Sequence, residues 1–256
     1  MDATHRQRAI LASVRESGLA RIHDLARAMT VSEETIRRDI RPLVEAGELL
    51  RRHGAVSMAT AGGEAPFERR MRENAAEKRA IARHVAGLIA DGDSVMLDTG
   101  TTTSMLAREL LSKRDLTIVT NSSDIARTLA IVNGNRVVMA GGELNGDNGA
   151  AFGRTAIEFI ERFNTDFAII SIAAVSAGRG LMDFHLDEAE LARAVLRQGR
   201  RRLVVTDHSK FGRSALVTVC GFDAFDELVT DREPPEDIAA RLQASGVACS
   251  VAGRTG

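Results

Sequence analysis

The first 56 residues carry an apolar rhythm of helical period in three short segments. Ile10, Leu11 and Val14 give one stripe, which Gly18 ends, and Ile22, Leu25, Ala26 and Met29 give a second. Ser32 is placed to cap a third helix, with Glu33 and Glu34 in the first turn, where the helix dipole favours acids. The buried stripe of that helix is Ile36, Ile40, Leu43 and Val44, and Gly47 closes it. Leu49-Leu50-Arg51-Arg52-His53-Gly54-Ala55-Val56 reads as strand, glycine turn, strand. Three helices and a hairpin predict a winged helix-turn-helix over residues 1–57.

Residues 58–73 read as a linker, small and breaker-rich up to Pro66, and 74–256 as a second domain. That domain opens with a polar helix over 74–90, Asn74 and Glu77 standing at capping-box spacing. Strand patterns follow at Ser94–Leu97, Leu116–Thr120, Arg136–Ala140, Phe167–Ile172 and Leu203–Thr206, with short ones at 228–229 and 247–251. Helical patterns centred on 103–111, 123–131, 155–162, 187–198 and 235–245 lie between them. Such alternation predicts an α/β domain with a mostly parallel sheet flanked by helices.

Composition narrows the picture. The chain has 256 residues, 27% charged and 44% hydrophobic, which is ordinary globular usage. Phe167 to Val175, its longest apolar stretch, is too short to span a bilayer, and the N-terminus lacks a signal-peptide core, so no membrane partner and a cytoplasmic location are expected. Cys220 and Cys249 stand alone, which indicates neither a zinc site nor a disulfide scaffold. With no Trp or Tyr, stacking platforms for single-stranded RNA are scarce. The net charge of −1 gives no global basic field. Of the 34 basic residues, only Lys78, Lys113 and Lys210 are lysines.

The arginines are nevertheless placed for chemistry. Thr35, Arg38 and Arg41 fall on the outer face of the third helix, and a planar guanidinium can bond guanine bidentately in the major groove. Ser32, Thr35, Arg37, Arg38 and Arg41 are candidate DNA contacts, with Arg51, Arg52 and His53 on the wing against the backbone. The plain alternative is a solvated basic face.

A second constellation lies at predicted strand ends. Asp98-Thr99-Gly100-Thr101-Thr102-Thr103 joins a strand to a helix, where hydroxyls and free helix N–H groups suit a phosphate. Asn121, Gly141 and Gly142 follow the next two strands and Lys210 a later one, so polar groups converge on the carboxyl edge where open parallel sheets bind ligands. Lys210 would supply the cation for an anionic ligand. His208 beside Asp207 reads as a structural turn pair rather than a general base, and no catalytic or metal-binding constellation is expected.

These residues resemble a family. Val31-Ser-Glu-Glu-Thr-Ile-Arg-Arg-Asp39, then Leu50-Arg-Arg-His-Gly-Ala55, is similar to the N-terminal signature of DeoR-type bacterial transcriptional repressors. Asp98–Thr103, Val119-Thr-Asn121, Ala140-Gly-Gly-Glu143 and Asp207-His-Ser-Lys-Phe-Gly212 resemble their effector domain, in the same order. The resemblance implies a sugar-phosphate-isomerase-like sensor and a phosphorylated sugar or polyol, of the glycerol 3-phosphate kind, as effector. It further implies operator double-stranded DNA as partner, a homodimer or homotetramer, no cofactor and no enzymatic activity. Side chains at Ser171 and Ala174 replace usual glycines, Ala192 replaces a frequent lysine, and Ala55 replaces a wing glycine. The contrasting expectations are an isomerase-like enzyme with an accessory helical domain, or a ligand-binding module that uses its helices for protein contacts.

Overall fold

The computed structural model describes residues 3–17, 19–46, 48–52, 54–58 and 64–253, and the chain forms two compact units, Met1–Arg69 and Arg70–Gly256. Gly18, Gly47 and His53, read above as two helix stops and a wing residue, lie outside the described residues, as does the side chain of Arg52.

The first unit runs α1 (Ala3–Ser17), β1 (Leu19–Arg21), α2 (Ile22–Met29), α3 (Glu33–Glu45), β2 (Leu49–Arg52) and β3 (Ala55–Met58). Its strands form an antiparallel sheet in the order β1-β3-β2, turned at Gly54, whose φ of +67° suits glycine. The sheet includes β1, which is too short to show as a pattern. Ile10, Val14, Ile22, Leu25, Ile36, Ile40 and Leu43 are buried together, so the three predicted stripes meet in one core. Ser32 caps α3 as expected, its hydroxyl accepting from the Thr35 N–H at 3.2 Å. Asp39 joins the buried side of α3: Arg6 of α1 donates to both its oxygens, at 2.7 and 3.3 Å. A polar position inside an apolar stripe is thus explained by a partner 33 residues away.

A short helix α4 (Phe67–Arg72) crosses the unit boundary, within the segment read as a linker. The second unit continues with α5 (Ala75–Leu88), β4 (Ser94–Leu97), α6 (Thr101–Glu109), β5 (Thr117–Thr120), α7 (Ser123–Leu129), β6 (Arg136–Met139), α8 (Arg154–Ile160) and β7 (Thr165–Ser171). After β8 (Ala174–Ser176) and β9 (Gly180–Asp183) come α9 (Leu186–Arg197), β10 (Gly199–Val205), β11 (Val217–Cys220), β12 (Glu227–Thr230), α10 (Glu236–Ala244) and β13 (Ala248–Val251). Seven strands form a wholly parallel sheet, ordered β13-β12-β10-β7-β4-β5-β6.

Alternation along each strand divides its side chains between two cores. Met96, Val119, Ala168, Ile170 and Val204 face α8, α9 and α10, whereas Val95, Leu97, Ile118, Ile169 and Leu203 face α5, α6 and α7. Strand order reverses between β4 and β7, since β5 and β6 build outward on one side and β10, β12 and β13 on the other. The crevice at such a reversal is where doubly wound sheets place ligands.

Two sequence readings are corrected here. Asn74 does not cap α5: it lies in the left-handed region at φ 51° and its side chain makes no cap bond, so the capping box with Glu77 is not formed. Helix α5 is also less polar than it reads, because Ile81, Ala82, Val85 and Ala86 fill the second core. A further antiparallel sheet, β11-β9-β8, had no counterpart among the predicted strands. No helix among the described residues is long and apolar enough to cross a membrane.

Candidate functional site

The outer face of α3 carries arginines in two electrostatic conditions. Arg37 donates to Glu33 at 2.7 Å and lies 3.7 Å from Glu34, and Arg41 donates to Glu45 at 3.1 Å. Arg38, between them, is exposed, as is Arg51 on β2, and neither has an ion-pair or hydrogen-bond partner among the described residues. All four arginines line one concavity of about 690 Å³, floored in part by Ile22, Ile40 and Val44. Thr35 is half-buried, its hydroxyl 2.9 Å from that of Ser32, so these two residues first serve the cap.

At the strand reversal, Asp98 follows β4 and both its oxygens accept from the Ser171 N–H at the end of β7, at 3.1 and 3.2 Å. Burial pushes its carboxyl well above the usual carboxylate range; the Ser171 bond opposes this, Asp183 and Glu188 reinforce it, and the Thr103 hydroxyl offsets a little. Gly100 is required by closeness rather than by its extended backbone. A Cβ there would lie 1.8 Å from Ser171 Oγ, so Ser171 presses against the loop where a glycine was the family expectation.

The first intrahelical donor of α6 is Ser104, to Gly100 O at 2.9 Å, which leaves the N–H groups of Thr101, Thr102 and Thr103 without an acceptor in the helix. All three threonines are buried; Thr103 Oγ1 donates to Gly100 O, and Thr99 Oγ1 has no hydrogen-bond partner among the described residues. This turn offers N–H donors and the Thr99 hydroxyl to an anion.

The other predicted ends are spread more widely. Asn121 is fully buried, its amide donating to Ala151 O at 3.0 Å while its Oδ1 is unpaired, whereas Gly141 and Gly142 are exposed beyond the edge strand β6. From β6 across β5, β4 and β7 to β10, where Lys210 follows, is about 19 Å at the usual spacing of strands. One small phosphate ester cannot touch all of these groups, and the strand reversal marks the centre of the row. Ala192 is buried in the first core among Ala189, Val195 and Leu196. Ala174 opens β8 and is also buried.

The turn after β10 and the start of α5 bring together two polar groups given no binding role by the sequence, Asp207 and Lys78. Asp207 is 1% exposed and accepts from Asn74 Nδ2 at 2.9 Å and from the Ser209 N–H at 3.0 Å. Burial raises its pKa, but Ser209 and the charges of Lys78 and Lys210 outweigh this and hold it below the usual range. Lys78, 3% exposed, donates to the carbonyls of Arg70 at 2.5 Å and Glu73 at 2.8 Å. Burial pulls its ammonium down to about 8, partly opposed by Asp207 and helped by Lys210 and Arg70. The scarcity of lysine that drew attention to Lys210 applied equally to Lys78. His208 pairs not with Asp207 but with Asp231, which accepts its N–H at 2.6 Å and lies 2.7 Å from its Nδ1. The structure thus corrects the pairing: Asp231, not Asp207, is the partner of His208.

Comparison with known proteins bears on both units. Residues 6–61 match the DeoR-like helix-turn-helix domain and residues 73–232 the DeoR C terminal sensor domain. The glycerol-3-phosphate regulon repressor of Escherichia coli is 34% identical over 238 residues, covering 93% of this chain and 94% of the relative. The transcriptional repressor AccR of Agrobacterium fabrum is 38% identical over 228 residues, with 88% of each chain covered. A ribose 5-phosphate isomerase A of Methanocaldococcus jannaschii aligns over 54% of this chain and 55% of its own, at 18% identity and a TM-score of 0.39, a likeness too slight to carry an argument. Two domain matches in the expected order, together with relatives aligned over nearly their whole length, establish that this chain belongs to the DeoR family of helix-turn-helix transcriptional regulators.

Proposed function

We propose that this protein is a repressor that binds operator DNA through α3 and the β2–β3 hairpin and is released by a phosphorylated sugar or polyol. The observation that supports the DNA-binding half is the pair Arg38 and Arg51, exposed on one concave face and without a partner among the described residues. Arg38 reads a base edge, and Arg51, with Arg52 and His53 of the wing, neutralises phosphate. Repressor relatives of similar length support the reading. Operators with two half-sites call for a symmetric homodimer or homotetramer, which light scattering measures directly.

The effector half centres on the strand reversal. Its phosphate accepts from the Thr101–Thr103 N–H groups and the Thr99 hydroxyl, with Lys210 as counter-charge, while Asp98 and Asn121 hold hydroxyls. Glycerol 3-phosphate is the first ligand to try, since a relative's name carries it. In this reading the chain performs no catalysis.

The test is binding to DNA upstream of the protein's own gene, across a salt series, with glycerol 3-phosphate, ribose 5-phosphate and inorganic phosphate. Salt-dependent binding that a phosphate ester weakens is the expected result. Absence of salt-dependent binding overturns the DNA half, and turnover of either ester overturns the non-catalytic half.

A further inference from the structure

Asn74, Lys78 and Asp207 bring together three places far apart in the chain. Asn74 precedes α5, Lys78 lies one turn inside it, and Asp207 follows β10, three residues before Lys210. Asn74 holds a left-handed backbone, uncommon for a residue with a side chain, and its amide is spent on Asp207 across 133 residues of sequence. The Lys78 ammonium is spent on the carbonyls of Arg70 and Glu73, at the C-terminal end of α4. Carbonyls there lack intrahelical donors, and a six-residue helix is marginal without outside support. The end of α4 therefore depends on a lysine whose charge is also felt by Asp207.

We infer that Asn74, Lys78 and Asp207 form a clasp that links the 206–210 turn to α4, the segment through which the chain leaves its helical unit. This rests on the effector reading above, which places an anion at Lys210. The charges of Lys78 and Lys210 both act on Asp207, which Asn74 holds at 2.9 Å. An anion at Lys210 takes up one of them and places a like charge near Asp207, which shifts the balance holding Lys78 on the α4 carbonyls. The clasp residues are positioning residues and touch neither DNA nor effector.

The test separates coupling from binding. Asn74→Gly removes the amide while suiting the left-handed backbone, so it deletes the link without strain. In the full-length protein, its operator affinity and its affinity for glycerol 3-phosphate or ribose 5-phosphate should each stay within about twofold of wild type. The loss of operator affinity caused by the ester, expected at about 5–150-fold in wild type, should shrink to about twofold. Full coupling in Asn74→Gly overturns the clasp.

If no ester weakens operator binding by the wild-type protein, the effector reading fails on its own, and hydrogen exchange still decides the clasp without ligand. Asp207→Asn should then speed exchange of the 70–73 amides about tenfold or more while leaving the α6 amides unchanged. Unchanged exchange at 70–73 overturns the clasp.

Discussion

The helical unit and the α/β unit carry their candidate residues in opposite ways. On α3, Arg38 and Arg41 stand on the surface, and helical periodicity alone locates them. At the strand reversal and the neighbouring strand end, Asp98, Thr101–Thr103 and Asn121 are buried; the fold engages the Asp98 carboxyl, the Thr103 hydroxyl and the Asn121 amide N–H, and leaves the Thr101–Thr103 N–H groups over. A reading surface is made by what the fold leaves free, and a pocket by what the fold leaves over after satisfying itself. That is why the buried Thr99 hydroxyl and the exposed Arg38, both without partners among the described residues, say more than the polar residues around them.

The sharpest way to break this contrast is to show that the surface unit hides an equally essential buried polar pair. Asp39→Ala removes one partner of the Asp39–Arg6 pair and should destabilise the helical unit by about 3–5 kcal/mol, followed by circular dichroism because the chain lacks Trp and Tyr. A cost under about 1 kcal/mol would mean that apolar packing alone holds α1 to α3.

In the pocket, Gly100→Ala forces a methyl against Ser171 and should cost about 1–3 kcal/mol in thermal or denaturant unfolding. Adding Ser171→Gly should return most of that cost, and strict additivity of the two changes would exclude the proposed collision.

On the surface, Arg38→Ala should weaken operator binding by about 1–3 kcal/mol and relax preference at one base pair. Arg37→Ala and Arg41→Ala should each cost less than about 1 kcal/mol, since both side chains already have carboxylate partners. Equal losses for all three in a gel-shift series would erase the distinction between free and paired arginines.

The smallest effect concerns Asp98. Its folded pKa is raised, so the native state keeps a proton that the unfolded chain loses, and stability falls as pH rises above the unfolded carboxylate value. Asp98→Asn should therefore melt at an equal or higher temperature at pH 7, with the difference vanishing toward pH 3. A clear loss of stability at neutral pH would show that the carboxylate form is the native one.

Much of the architecture was legible because it is periodic. The Ile36, Ile40 and Leu43 stripe, the Ser32 cap and the parallel strand-helix alternation all follow from short-range pattern. Missing were features that depend on partners distant in sequence. Asn74 with Glu77 fits a capping box by spacing, but an amide partner at Asp207 fixes it in another conformation. The strands β8 and β9 are joined by the short turn Ala177-Gly178-Arg179, yet their third strand, β11, begins 34 residues after Asp183. Lys78 sits in a helix read as polar; Ile81 and Ala82 share its face, but the carbonyls of Arg70 and Glu73 that accept from its ammonium there could not be read from the pattern.

The ion pairs along α3 have one more consequence, for counterions. Five arginines at 37, 38, 41, 51 and 52 suggest, at about 0.9 ions released per phosphate neutralised, a salt slope near −4.5 per subunit. Arg37 and Arg41 already have carboxylates as their neighbours, and on meeting DNA they exchange one anion for another, freeing Glu33 and Glu45 to gather cations from solution. The slope should fall toward the value set by the unpaired arginines. Such a regulator would hold its operator through shape and base contacts more than through the ionic atmosphere, and would keep its grip as cellular salt varies.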